Sequence, residues 1–201
     1  MNKSSKVKHI LGYLSDQLFR AWSAFLVAKH IDQVLEDDNI KSLHYFFVAT
    51  YLSCTESTIL GLSKLTIPHN DSMHVEYFLN WCEQNPQAFV GMDKDDILRS
   101  VRAHRQQMKE VRLMLEHIKT WRDQAVAHLD RKYVNDPESI SSIPPINMNE
   151  VEKAFIQLGQ IINTYRGYLN DSGFQLRDSE TKMAEDWEYL IGLLQKDNGV
   201  V

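Results

Sequence analysis

The feature that most limits what this chain can fold into lies between Ile97 and Ile118. Ile97, Val101, His104, Met108, Val111, Leu115 and Ile118 follow one another in strict steps of four and three. That spacing brings each residue back to the same side of a helix, so it predicts a long helix whose apolar seam meets another helix. The segment at 149–170 repeats the spacing with Val151, Phe155, Leu158, Ile162, Tyr165 and Leu169. No stretch alternates apolar and polar residues convincingly enough to predict a strand.

The remaining segments read the same way. Residues 6–37 predict one long helix or two broken ones, and 41–65 a helix in which Val48, Leu52, Ile59 and Leu62 share a stripe. The aromatic start of that helix, "HYFFVATY", predicts burial in the core, because no basic residues are interleaved with its rings. A third helix is expected from an N-cap at Asp71 or Ser72 to about Gln84, before Pro86. The fourth, opened by "DKDD" with its acids in the first turn, is expected to be the longest and to run to about Leu129. A Pro/Ser/Asn-rich loop at 131–149 follows, and loops of that length tend to be functional or mobile. "NDSG" ends the fifth helix, and a last amphipathic helix is expected over 180–195. The fold class is therefore all-α: a single-domain antiparallel helical bundle over 1–201, with its core at roughly 6–171.

Composition agrees. The chain has 201 residues, 43% apolar and 24% charged, which suits one globular domain. No run of about 18 uncharged apolar residues provides a membrane span. The start has basic residues but no sustained apolar stretch before Asp16, so no signal peptide is expected and the cytoplasm is the default location. Cys54 and Cys82 stand in apolar surroundings and read as reduced core residues.

A net charge of −5 argues against general nucleic-acid coating, but its distribution is uneven. From Arg99 to Lys132 nine basic residues face four acids, while the rest of the chain is acidic. A basic helix on an acidic body can attract phosphate locally, or it is an ordinary solvated face.

The end of that helix, "WRDQAVAHLD", carries the chemistry-bearing side chains. Continuing the seam past Ile118 places Arg122 where packing would favour an aliphatic residue. A guanidinium keeps its proton, so Arg122 must reach solvent, pair with an acid, or meet an anionic ligand. Asp123 can pair with it or orient a neighbour. His128 is the one group in the stretch whose ordinary pKa lies near neutrality, which suits proton transfer. Six residues at about 100° each put His128 about 120° away from Arg122 around an ideal helix. A reaching arginine, a bent helix, or two copies around a twofold axis would bring them together. His69, His74 and His117 lack ligand spacing with Cys, Asp or Glu, so no metal or cofactor is expected, and His104 reads as a core or interface histidine.

Arg122-Asp123, four residues and then His128 resembles the Arg-polar-x-His signature of HEPN domains, which are all-α bundles. The wider run "IKTWRDQAVAHLDRKYV", with "STILGLSKL" upstream, resembles most nearly the abortive-infection AbiU-type branch. The resemblance implies a metal-independent endoribonuclease, a toxin or phage-defence effector acting as a homodimer whose motif lines the interface cleft. It further implies that His128 handles the 2′-hydroxyl proton, Arg122 holds the phosphate and Asp123 orients the pair. Lys119, Arg131 and Lys132 are candidate RNA or phosphate contacts, and an antitoxin or defence partner is a candidate companion. Asp130 stands where nucleotidylated relatives carry tyrosine, so that control is not expected here. Two alternatives remain open: a HEPN-fold module that binds RNA or nucleotide without cutting, and a plain helical dimer in which Arg122 and Asp123 form a structural pair.

Overall fold

The structure, a computed structural model, describes residues 2–34, 44–68, 72–126, 145–173 and 175–197. Seven α-helices account for most of them: α1 (Lys3–Val34), α2 (His44–Thr66), α3 (Val75–Gln84), α4 (Lys94–Glu110), α5 (Arg112–Trp121), α6 (Met148–Gly167) and α7 (Leu176–Asp197). A short 3-10 turn, Pro86–Ala88, joins α3 to the approach to α4, and a π-helical turn, Arg122–Val126, extends α5. The all-α bundle expected from the seam is what forms.

α1 is the axis. Leu11, Leu14, Leu18, Trp22, Phe25 and Leu26 are all buried along it, a wider apolar face than a surface helix carries, because α2, α6 and α7 all pack on α1. The 6–37 segment is thus one helix rather than two. At its centre Trp22 stacks on Phe25 with ring centroids 5.3 Å apart and meets Phe155 of α6 edge-on at 5.4 Å. The Trp22 Nε1–H donates to the Leu176 carbonyl and the Ser179 hydroxyl, at 3.2 and 3.1 Å. The start of α7 is thereby fixed to the core by the one polar atom of a buried ring. α2 comes so close to α1 that a Cβ at Gly61 would collide with the Ala21 side chain.

Local signals explain most helix ends. The Asp93 carboxylate accepts from the Asp95 N–H at 2.7 Å, and the Asn147 side chain accepts from the Asn149 N–H at 2.9 Å. Both satisfy amides that a helix start leaves open. After α6, Asn170 adopts φ 52°, the left-handed turn that stops a helix, where "NDSG" placed the end.

Four expectations require correction. α3 begins later than expected, with His74 as its cap: the His74 Nδ1 accepts from the Tyr77 N–H at 3.1 Å. α7 starts at Leu176, earlier than 180, because the Trp22 bond and the buried Leu176 hold its first turn. The 93–129 segment is not one unbroken helix, since Val111 leaves helical geometry (φ −102°, ψ 6°) between α4 and α5. Beyond that bend Met114 is buried in place of the half-buried Leu115, while Ile118 keeps its seam position in the core. Finally, the aromatic start of α2 lies largely on the surface. Tyr45 is 90% and Phe46 62% exposed, Leu52 is exposed, and only Phe47 of that group is buried. The deep packing of α2 lies in its second half, at Ile59, Leu62 and Leu65.

Candidate functional site

Two polar centres lie along the α4–α5 run. The first is internal. The His104 Nδ1 lies 3.2 Å from the Tyr165 hydroxyl, and Tyr165 is fully buried between Phe78 and Phe89. Burial lowers the His104 pKa and raises those of the Tyr165 phenol and the Cys82 thiol, so each stays neutral. On the next residue of α4, Arg105 bonds to Glu76 at 3.0 Å, to Glu83 at 2.9 Å and to Asn80. Burial opposes its charge, but the two carboxylates outweigh it and raise its pKa. These groups tie α3 and α6 to α4; their polar atoms answer one another.

The second centre is the end of α5. Ile118 is fully buried and closes the deeply packed register. At Arg122 the backbone widens into the π-helical turn, which packs on α2. Such turns displace a residue from its α-helical position and recur at functional sites. The Arg122 side chain is consequently half-buried, 26% exposed, rather than enclosed in the seam. Its Nε donates to the Asp123 Oδ1 at 2.6 Å, and its Nη2 reaches the same oxygen. Asp123 itself is 43% exposed. Of the outcomes open to a seam arginine, pairing with the adjacent acid at the rim is the one adopted.

Lys119, exposed on the last turn of α5, precedes Arg122 by three residues, a spacing that puts two side chains on neighbouring positions of a helix. His128, Arg131 and Lys132 lie outside the described residues, as does most of the 131–149 segment. The structure thus brings Arg122 and Asp123 together and sets Lys119 one turn before them.

A cavity of about 360 Å³ that no sequence pattern foretold reaches Trp121, the residue before Arg122. Tyr51, Leu52 and Thr55 of α2, Ile118 and Trp121 of α5, and Ile146 ahead of α6 line it, over a floor that includes Phe25. The available signal was the four-residue spacing of Tyr51 and Thr55 on one side of α2, together with Trp121 immediately before Arg122. A larger open hollow of about 470 Å³ runs along α6 from Asn149 to Gln160 and includes no residue of the motif. Among the described residues, no three His, Cys, Asp or Glu side chains gather as a metal site would require.

The HEPN AbiU2 family model matches residues 4–190, nearly the whole chain. The chain belongs to the AbiU2 family of HEPN domains. Comparisons with curated proteins and with solved structures return no match. Membership in the AbiU2 family points to a HEPN-type function related to abortive infection. Among the described residues no helix is long and apolar enough to cross a membrane.

Proposed function

We propose that this AbiU2 protein is a metal-independent endoribonuclease, a toxin or phage-defence effector working in the cytoplasm as a single HEPN-like domain per chain. The observation that carries the reading is the partly exposed Arg122 on a π-helical turn, in a chain of HEPN membership. In this reading an RNA 2′-hydroxyl attacks the adjacent phosphorus while His128 accepts its proton. The P–O5′ bond breaks, a 2′,3′-cyclic phosphate forms, and the departing 5′-oxygen takes up a proton. Arg122 holds the phosphate and stabilises the charge that builds on it, a task suited to a fixed planar cation.

The Arg122–Asp123 pair bears on this step. A solvent-exposed ion pair contributes only about 0.2–1 kcal/mol, so an arriving phosphate can replace the carboxylate at Arg122. Asp123 then acts as a placeholder that keeps the guanidinium oriented, with Lys119, Arg131 and Lys132 adding positive charge for the RNA strand. A homodimer brings a second copy of the motif to a shared cleft. The exposed Tyr45, Phe46 and Leu52 of α2, the helix on which the π-helical turn packs, are the surface for it. An antitoxin or other defence partner would restrain the activity.

One observation favours a second reading. Arg122 is bonded to its own acid, which is what a purely structural pair in a non-cutting binding or scaffold module would show. Incubation of pure protein with total RNA in excess chelator separates the two. The nuclease reading expects cleavage to 2′,3′-cyclic phosphate ends, reduced about 10²–10³-fold in Arg122→Ala and His128→Ala. Equal cleavage by all three proteins, or none by any, removes it.

A further inference from the structure

The outward side of α4 and α5 carries charge that the packing of the bundle does not use. Between Arg99 and Trp121 stand six basic residues and two acids, in a chain whose net charge is −5. Of the six, Arg105 is bound to Glu76 and Glu83 of α3. The other five, Arg99, Arg102, Lys109, Arg112 and Lys119, are all exposed. Arg102, Lys109 and Lys119 have no ion-pair partner among the described residues. Arg99 and Arg112 pair within their own helices, with Asp96 at 3.3 Å and Glu116 at 3.1 Å, and each of these four side chains is 48% exposed or more. Exposed pairs of this kind contribute little, so a phosphate can take the carboxylate's place. Both acids are engaged, Glu116 by Arg112 and Glu110 by the Gln157 side-chain amide at 3.3 Å.

These cations are spread along the run rather than gathered at one point. Arg102 and Arg122 are 20 residues apart, which at about 1.5 Å per residue is about 30 Å of helix, with the bend at Val111 between them. A small anion meets one such side chain at a time and gains little, whereas a strand with a charge on every unit gains at each. The run leads to Arg122, with Lys119 one turn before it. The Arg122 guanidinium bonds to Asp123, four residues after Lys119, so its charge is drawn toward the side of the run on which Lys119 lies. We propose that this side is the track of the RNA strand, which leads away from Arg122 over Lys119, Arg112, Lys109 and Arg102 with its phosphates on these side chains. The proposal rests on the ribonuclease reading for the identity of the strand. Among the described residues of α4 and α5, Leu113 is the one exposed large apolar side chain, and no aromatic ring is exposed. Bases have nothing to stack on there, so the track holds RNA by its backbone, whatever its sequence.

Two measurements test it. The first follows binding of labelled RNA by fluorescence anisotropy, with His128→Ala as the background so that the strand stays whole. Affinity should rise with strand length and fall with salt. The slope of log K against log salt should be about −0.7 for each phosphate contacted, or about −3 for the four. Arg102→Gln with Lys109→Gln should make it shallower by about 1.4, equally for the four homopolymers. Arg177→Gln with Lys182→Gln removes the same charge from the exposed surface of α7 and should leave the slope unchanged; thermal melting checks that each variant is folded. The second compares cleavage of a dinucleotide and a long oligonucleotide. Wild type should cleave the long strand at the higher kcat/KM, and the Arg102/Lys109 variant should lose most of that advantage.

RNA binding of this kind without any cleavage by the wild type would support the track and remove the nuclease. Cleavage that ignores strand length, an unchanged salt slope in the Arg102/Lys109 variant, or an equal change in the α7 variant would overturn the track and leave the nuclease standing. Displacement of the RNA by poly-glutamate at equal charge would make this side a dock for an acidic protein and overturn the proposal as well.

Discussion

His104 and Arg122 lie on the same helical run, at positions the seam treats alike, yet the fold uses them differently. Around His104 two further helices close in, and the imidazole meets the Tyr165 hydroxyl inside a layer of aromatic rings. Arg122 lies past the deeply buried Ile118, where the backbone widens and packs on α2. Its partner is the adjacent residue, and both remain in reach of water. A polar residue enclosed by its neighbours is committed to stability, because moving it would strand a buried group. One at the rim with a weak local partner can exchange that partner for a ligand. What distinguishes the two is how far each sits from the end of the packed core.

This contrast can be broken at either end. The largest effect is expected from Tyr165→Ala, which should destabilise the protein by about 3–5 kcal/mol in chemical denaturation, as large-to-small changes in packed cores do. A loss under 1 kcal/mol would mean that the inner centre is not structural. Next comes Arg122→Ala, which should reduce RNA cleavage about 10²–10³-fold while leaving the melting temperature nearly unchanged. If stability and activity fell together, Arg122 would belong with His104 as a structural group. Gly61→Ala, between the two centres in magnitude, should cost about 1–3 kcal/mol through the clash with Ala21, unless α1 and α2 separate freely.

A smaller effect concerns pH. Because burial lowers the folded-state pKa of His104, and of His74 as well, the unfolded chain binds protons that the folded one refuses. Stability should therefore be complete above the ordinary histidine value of about 6.5 and decline as the pH falls through it toward the lowered values. Melting curves across that window should show a shallower decline in His104→Gln, which keeps a hydrogen-bonding group beside Tyr165 but does not titrate. An unchanged slope would show that His104 is not responsible. The smallest effect is expected from Asp123→Asn, within about 1 kcal/mol of wild type by denaturation, since an exposed pair contributes little. A larger loss would turn the rim pair into a structural one.

Much of this organisation was legible in the residues. The seams at 97–118 and 149–170 announced helices packed on helices, and Ile97, Val101, Ile118, Phe155, Leu158 and Tyr165 are indeed core. His104 was readable as a core histidine because it occupied a seam position. The charge at Arg122 and Asp123 was readable because it interrupted that seam. The bend at Val111 was not readable, because valine carries no helix-stopping signal and its apolar side chain fits the pattern on both sides. Nor was the exposure of Tyr45 and Phe46. Apolar character says that a residue gains by burial, not that a neighbouring helix extends far enough to bury it. The cavity escaped for a related reason: the four-residue spacing of Tyr51 and Thr55 is visible within α2, but Trp121 and Ile146 come from two other segments, and no local spacing ties them to it.

The sequence alone determined that the chain forms helices, which sides of them are apolar, and where a cation interrupts the longest seam. Those properties depend on residues within a turn or two of one another. Tertiary structure decided that Arg122 stands at a rim rather than in the core, that α5 ends in a wide turn, and that a cavity opens between α2 and α5. Each depends on where the surrounding helices stop, which follows from how the whole core packs rather than from any one stretch of residues.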